Sequence, residues 1–194
     1  LLAANQRIRI IGGKWRSRQV GFPSVDGLRP TGDRIRETLF NWLAADLPGA
    51  RCLDLFSGSG ALSFESLSRG AACCIALEQH PKAAASLAEN KALLNAQELI
   101  ILNKNSLLYL QNQPETPFNI VFVDPPFALN LATDVCALLE SNHWVAQDGL
   151  IYCELAATQN DFSPPSNWQV VRSKVASGVK YILYSRIEPG GLFQ

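Results

Sequence analysis

The sequence predicts an α/β fold: a mostly parallel sheet with helices on both faces, an antiparallel C-terminal hairpin, and a β-hairpin arm in front. Three observations predict it. From residue 51 onward, short apolar runs alternate with helical stretches, as in successive strand–helix–strand units. The runs are continuous rather than alternating, which is how strands buried on both faces read. Near the end, two runs meet at Ser177-Gly178 with no helix between them, so the last strands must fold back on each other.

The elements follow in order. Residues 7–22, RIRIIGGKWRSRQVGF, hold two strand-like pieces separated by the turn signal Gly12-Gly13. Residues 32–47 place Ile35, Leu39, Trp42 and Leu43 at helical spacing, with Asp33 near the start and Pro48-Gly49 after the end. The run RCLDLF (51–56) leads through Gly58-Ser59-Gly60 into a helix over 61–70. CCIALE (73–78) precedes a helix over 81–96, and ELIILNKN (98–105) precedes SLLYLQNQ. FNIVFVDPPF (118–127) precedes a helix around 130–142, GLIYCEL (149–155) follows, and WQVVRSKVA (168–176) pairs with VKYILYSRI (179–187). That makes seven strands in the main sheet.

Composition limits the function classes. Of 194 residues, 47% are hydrophobic and 18% charged, so a sizeable core is available and global disorder is excluded. No run approaches the ~18 apolar residues of a membrane span. The N-terminal LLAANQRIRII has no long apolar region after a basic start and is a poor secretory signal. The five cysteines are odd in number, have no CxxC spacing and sit mostly in apolar runs, and there are only two histidines. This reads as a reducing, cytoplasmic protein with no disulfide framework and no metal site. No exposed apolar helix face stands out, so a monomer is expected. The chain contains no methionine.

The formal net charge is zero but unevenly spread. Residues 1–40 carry eight Lys or Arg against three acids, and residues 41–194 carry nine against fourteen. A basic arm on a mildly acidic body suits a polyanionic partner. Arg7, Arg9, Lys14, Arg16 and Arg18 suit phosphate contacts, with Trp15 among them as a stacking ring. The alternative is a solvated hairpin that Trp15 packs onto the body. Arg29, Arg34 and Arg36 continue the basic run.

Two stretches carry chemistry. In DLFSGSGALSFE (54–65), Gly58 and Gly60 permit a sharp turn between a strand end and a helix N-terminus, where ligands of open α/β sheets bind. A dinucleotide fingerprint needs a third glycine at 63, which is Ser63 here. Glu78, 18 residues after Gly60, ends the next strand and can accept bonds from both hydroxyls of a ribose. That suits any nucleoside cofactor, and a plain glycine-rich turn fits as well.

The second stretch is Asp124-Pro125-Pro126-Phe127. Proline fixes its own φ and pushes the preceding residue to an extended conformation. The Asp124 carboxylate and the Pro125 carbonyl therefore form a rigid pair of acceptors, able to take both hydrogens of an exocyclic amine. Holding both favours a tetrahedral nitrogen and aims its lone pair at an electrophile. Phe127 can stack on a base, worth ~1–3 kcal/mol. A strand capped by prolines, with Asp124 as a helix cap, is the plainer alternative.

The order of glycine turn, ribose acid and DPPF resembles the class I S-adenosylmethionine-dependent methyltransferases that act on exocyclic amines, a Rossmann-like fold. RIIGGKWRSR, RPTGDRIRETLFNWL, LDLFSGSGALSFESLSRGA, VDPPF and the late VASGVKYILY together resemble the bacterial 16S ribosomal RNA guanine-N2 methyltransferases of the small-subunit methyltransferase D type. The resemblance implies S-adenosylmethionine with its methionine part over Phe56, Ser57, Gly58 and Gly60, and with Asp54 near the amino group. It implies Glu78 on the ribose and Asn105 and Ser106 near the adenine, with Thr31 and Glu37 closer to the cofactor mouth and some of Arg29, Arg34 and Arg36 facing RNA. It implies Asp124 and Pro125 on the guanine amine, braced by Pro126, with Phe127 stacked on the ring. Residues 1–30 would be the RNA-binding arm and 31–194 the methyltransferase domain. The partner would be 16S ribosomal RNA, within a partly or fully assembled small subunit. The family often carries another acid just after its ribose acid, whereas this chain has Gln79 and His80. DNA adenine-N6 enzymes share DPPF but need a separate recognition domain for duplex sequence. A catalytically silent assembly protein would have no use for an intact site, and a nicotinamide oxidoreductase leaves DPPF unexplained.

Overall fold

The computed structural model describes residues 6–25 and 30–187, so Arg29 lies outside the described residues. The chain divides into two compact units, Leu1–Ser106 and Leu107–Gln194.

The first unit opens with β1 (Gln6–Arg9) and β2 (Gln19–Phe22), an antiparallel pair registered Gln6 to Phe22 and Arg9 to Gln19. A short 3-10 turn over Gly13–Trp15 joins them. Helix α1 (Asp33–Trp42) follows; it stops before the expected residue 47, and a separate turn carries the chain on to Pro48. Then β3 (Arg51–Asp54), α2 (Ala61–Ser68), β4 (Cys73–Leu77), α3 (Pro81–Leu94) and β5 (Leu99–Leu102) alternate. β3 and β4 pair in parallel, as do β4 and β5. Helix α3 starts at a proline, whose fixed φ suits a first turn, and ends at Asn95 in the left-handed region (φ 51°). β5 ends sooner than expected, because Asn103, Lys104 and Asn105 are exposed where the apolar run gives out.

The second unit holds α4 (Ser106–Leu110, whose first residue closes the first unit), β6 (Phe118–Val123), α5 (Ala132–Ser141), β7 (Val145–Ala156), β8 (Trp168–Ala176) and β9 (Val179–Arg186). β6 and β7 are parallel, and β9 pairs antiparallel with both β7 and β8. The Trp144 indole donates to the carbonyls of Leu110 and Asn112, so this residue packs rather than binds. The main sheet has seven strands in the order β5-β4-β3-β6-β7-β9-β8, parallel but for its C-terminal hairpin. Among the described residues no helix is long and apolar enough to cross a membrane, and no cluster of metal-ligating side chains occurs.

The N-terminal hairpin is not a free arm. Every residue of α2 is buried; Ser66 donates within the helix to the Ser63 carbonyl, and the other polar side chains serve the hairpin and the site. The Glu65 carboxylate accepts the backbone N–H of Ile11 and of Gly12, each at 2.8 Å. It also accepts from Arg69 Nε at 2.7 Å and lies 3.6 Å from the Arg36 guanidinium. Glu65 and Arg36 are both 0% exposed. The Ser68 hydroxyl donates to the Gly12 carbonyl and accepts from the Trp15 N–H. Further along, Asn90 bonds both the N–H and the carbonyl of Gly21, and Ser86 donates to the same carbonyl.

One expectation is corrected here and one narrowed. Trp15 is only 7% exposed and packs the hairpin onto the body, with Lys14 Nζ 4.5 Å above its ring, so it is no stacking platform for RNA. Arg36 does not face RNA: it is enclosed by Glu65, Asp33 and the carbonyls of Thr31 and Arg9.

Removing one partner of a buried ion pair strands the other charge, which costs about 3–5 kcal/mol. Glu65→Ala should therefore lower unfolding stability by about that amount in a urea titration, whereas the exposed pair Lys14–Glu98 should cost under about 1 kcal/mol when broken by Glu98→Ala.

Candidate active site

In the first unit the site grows from the ends of β3 and β4. β3 ends at Asp54, which is 1% exposed, and its carboxylate accepts from the Ser63 hydroxyl at 2.6 Å. Burial pushes Asp54 up to about 6, against the pull of hydrogen bonds from Ser63, Ser57 and the Phe56 N–H; the Glu78 charge adds to the rise. Every group acting on Asp54 is thus a neutral donor or a like charge.

The glycine turn follows. Gly58 and Gly60 both hold positive φ, 51° and 79°. Gly60 caps α2, and a Cβ there would meet Phe64 at 2.5 Å and Leu87 at 2.6 Å. Its missing side chain lets the helix seat against α3. The Gly58 N–H donates to Glu78 Oε2 at 2.9 Å, and the His80 N–H donates to Glu78 Oε1 at 2.7 Å. Each oxygen of Glu78 is therefore oriented by one backbone donor and keeps a lone pair to offer. Phe56 and Gly58 are half-buried, and Ser57 is buried with its hydroxyl on the Asp54 carbonyl.

Past β5, Asn103 donates to the carbonyls of Glu78 and Gln79, and the Asn105 amide donates to the Gln79 side chain at 3.0 Å. The Ser106 hydroxyl donates to the Leu55 carbonyl, so that hydroxyl braces the β3 end. Thr31 is buried, and its carbonyl accepts from Arg36.

In the second unit β6 is buried from Ile120 to Val123, Asp124 is half-buried and Pro125 is buried. Phe127 is 39% exposed and begins a 3-10 turn, Phe127–Leu129, behind Pro126. The Pro126 carbonyl takes the Leu129 N–H. Asn130, in the left-handed region (φ 48°), donates to Asp161 at 2.8 Å and accepts from Gln159, which fastens the loop carrying the ring. Beside Asp124, the Tyr152 hydroxyl donates to Glu154 at 2.7 Å, both groups buried. Burial, Glu154 and then Asp124 hold Tyr152 well above the usual phenol range.

On the hairpin, Arg7, Arg9, Lys14, Arg16 and Arg18 are exposed, as is Arg34 on α1. Their contacts are loose: Arg9 with Asp33 at 3.9 Å, Lys14 with Glu98 at 3.6 Å, Arg18 with the Leu93 carbonyl. Three of the thiols are poor nucleophiles, since burial pushes Cys52 up to about 12 and Cys74 and Cys153 well above the usual thiol range.

Sequence reasoning missed Ser63, Tyr152 and Glu154. Ser63 registered only as a failed glycine, yet it is the donor that a buried carboxylate needs. The signal available was a small hydroxyl one helical turn after Gly60.

Comparison with known proteins covers nearly the whole chain. The model of the family described as conserved hypothetical protein 95 matches residues 8–185. Ribosomal RNA small subunit methyltransferase D of Escherichia coli (strain K12) is 47% identical over 95% of this chain and 92% of its own length. The protein of the same name from Haemophilus influenzae is 42% identical over 93% and 95%. The solved structure of the Escherichia coli protein yhhF, described there as a methyltransferase, superposes with a TM-score of 0.88 at 43% identity, covering 95% of this chain and 100% of that one.

A hydrogen bond to an ionised group contributes about 1.5–3 kcal/mol. Ser63→Ala should therefore cost about that much at pH 8, where Asp54 is ionised. It should cost less at pH 5, below the Asp54 value of about 6, where a protonated carboxyl no longer needs the donor. Denaturant unfolding at the two pH values measures the difference.

Proposed function

The chain belongs to the conserved hypothetical protein 95 family, and from that premise we propose that it methylates the exocyclic N2 amine of one guanine in 16S ribosomal RNA. It is an S-adenosylmethionine-dependent RNA methyltransferase. The observation that carries the choice of an amine is the end of β6, where Asp124 and Pro125 follow a buried strand and Phe127 stands exposed behind two prolines.

The first unit suits the cofactor. Asp54 is a buried acid on which no cation acts, so an ammonium group supplies the missing counter-charge. Glu78 keeps lone pairs for two ribose hydroxyls. The Phe56–Gly60 backbone would hold the methionine part, Asn105 and the Ser106 main chain the adenine, and Thr31 would lie at the mouth. When bound, S-adenosylmethionine supplies a methyl group on a positively charged sulfur.

The second unit suits the base. Guanine N2 is a poor nucleophile because its lone pair is delocalised into the ring. The Asp124 carboxylate and the Pro125 carbonyl accept its two hydrogens and free the lone pair. Once the nitrogen carries the methyl it is acidic, and Asp124 or water takes the proton. Phe127 covers the ring face. Positioning supplies most of the rate.

Residues 1–30 contribute phosphate contacts through Arg7, Arg9, Lys14, Arg16 and Arg18, joined by Arg34. Their ion pairs are exposed and cost little to exchange for phosphates. So small a basic surface reads little sequence, which favours a partly or fully assembled small subunit over free RNA. A guanine inside a duplex cannot present its amine, so the target is in a loop or flipped out. The enzyme acts as a cytoplasmic monomer.

Label from S-adenosylmethionine should appear as N2-methylguanosine after nuclease digestion of small-subunit RNA. Label in N6-methyladenine of DNA, or none, overturns the reading. Asp124→Ala should lower turnover about a hundredfold or more while cofactor binding persists. Because Asp54 gains its proton below about pH 6, cofactor affinity measured by calorimetry should rise from pH 5 to 7 and then level off, and Asp54→Asn should flatten that rise.

A further inference from the structure

The C-terminal hairpin has no role so far beyond closing the sheet. From Phe162 to Ile187 the chain holds Arg172, Lys174, Lys180 and Arg186 and no acid, although residues 41–194 as a whole are acidic. β8 is an edge strand, exposed from Gln169 to Val175, with Val170 60% and Val175 64% exposed. Arg186 is occupied by a two-pronged pair with Glu140. Among the described residues, neither Arg172 nor Lys174 enters a salt bridge.

The strand register ties these residues to the amine-holding end of β6. Directly paired residues share a sheet face. Lys174 pairs with Tyr181, and Tyr181 with Glu154. Arg172 pairs with Leu183, Leu183 with Tyr152, and Tyr152 with Phe122. The register of β6 with β7 ends at Val123 and Cys153, so Asp124 is the next position, level with Glu154. One row therefore runs Asp124, Glu154, Tyr181, Lys174 on a single face, with Arg172 one step behind. At about 4.8 Å per strand, Lys174 stands roughly 14 Å from Asp124, a distance spanned by a few nucleotides.

We propose that the outer face of β8, through Arg172 and Lys174, is a second RNA-contact surface that grips the phosphate backbone a few nucleotides from the target base. The inference rests on the reading of Asp124 as the holder of the base. Charge on an edge strand also guards against edge-to-edge pairing, but that purpose is served as well by Asp or Glu, and the segment has neither.

The test compares wild type with the double substitution Arg172→Ala, Lys174→Ala. Filter binding to a transcript of the small-subunit RNA is followed across a salt series, and methyl-transfer kinetics and cofactor affinity are measured in parallel. Each lost phosphate contact lowers the salt slope by about 1. The double variant should therefore bind RNA more weakly with a slope smaller by about 2. Its KM for RNA should rise at least tenfold, and its cofactor affinity should not change. Lys174→Arg alone should keep the wild-type slope. An unchanged slope and KM in an active enzyme overturn the second surface and leave the proposed function standing. So does a variant that self-associates without losing RNA affinity, or one whose loss appears only on protein-bearing subunits. A wild type that transfers no methyl to this RNA, either free or within small subunits, overturns both.

Discussion

The Glu65 carboxylate is the point on which the first unit turns. It is buried, opposed by the guanidiniums of Arg36 and Arg69, and used by two backbone amides more than fifty residues away in sequence. Taking an acid and a cation out of water is expensive, and a buried pair guarantees little net stability. What it does guarantee is register. Ile11 and Gly12 have one place to donate, and the chain around them must fit. A Cβ on Gly13 would stand 1.8 Å from the Ser68 carbonyl, and one on Gly12 would stand 2.7 Å from the Arg69 guanidinium. The paired glycines therefore answer a close approach between hairpin and helix as much as a need to turn.

One short helix consequently serves two purposes. The first turns of α2 carry Gly60 and Ser63, which shape the glycine loop and hold Asp54. Its later turns carry Glu65 and Ser68, which hold the hairpin. A helix buried all round normally presents only apolar side chains. Here its hydroxyls and its acid are each matched by a partner, the condition under which buried polar groups are tolerated. The basic hairpin is thereby a fixed extension of the cofactor-side scaffold. Its cations project from a docked platform, and less chain entropy is lost when they meet a polyanion.

The fold was largely legible because doubly buried strands leave a signature that needs no partner to be known. CCIALE and FNIVFV are apolar on both faces, and each became a strand of the main sheet. LIIL reads the same way but became the edge strand β5, where only Leu99 is buried and Ile100 is 48% exposed, because an edge position leaves one side uncovered. The glycine turn and the DPPF edge were legible for a related reason: glycine and proline act on their own backbone. Contacts between distant segments were not legible. Glu65 and Ser68 look like ordinary polar residues of a helix, and nothing local marks their partners as the amides and carbonyl of a hairpin turn. Arg36 sits in a basic run that reads as a surface, yet it is wholly enclosed, because Glu65 and Asp33 reach it from elsewhere. Trp15 shows the same limit: aromatic and flanked by cations, it suits RNA by composition but belongs to the core by position.

Charge makes the point from the other side. A formal net charge of zero argues for no long-range attraction to RNA at all. Steering, however, depends on the local field, and beyond about 8–10 Å of salt solution distant charges are screened from one another. Acids scattered over the body therefore do not cancel cations gathered on a hairpin. The exposed cations of β1–β2 and those of β8 lie in segments nearly free of acids, and both strand pairs present them on hydrogen-bonded backbone. A neutral protein built this way can hold a polyanion at chosen places while weakly attracting it everywhere else. That suits an enzyme that methylates ribosomal RNA, since strong uniform attraction would leave it bound at unproductive places.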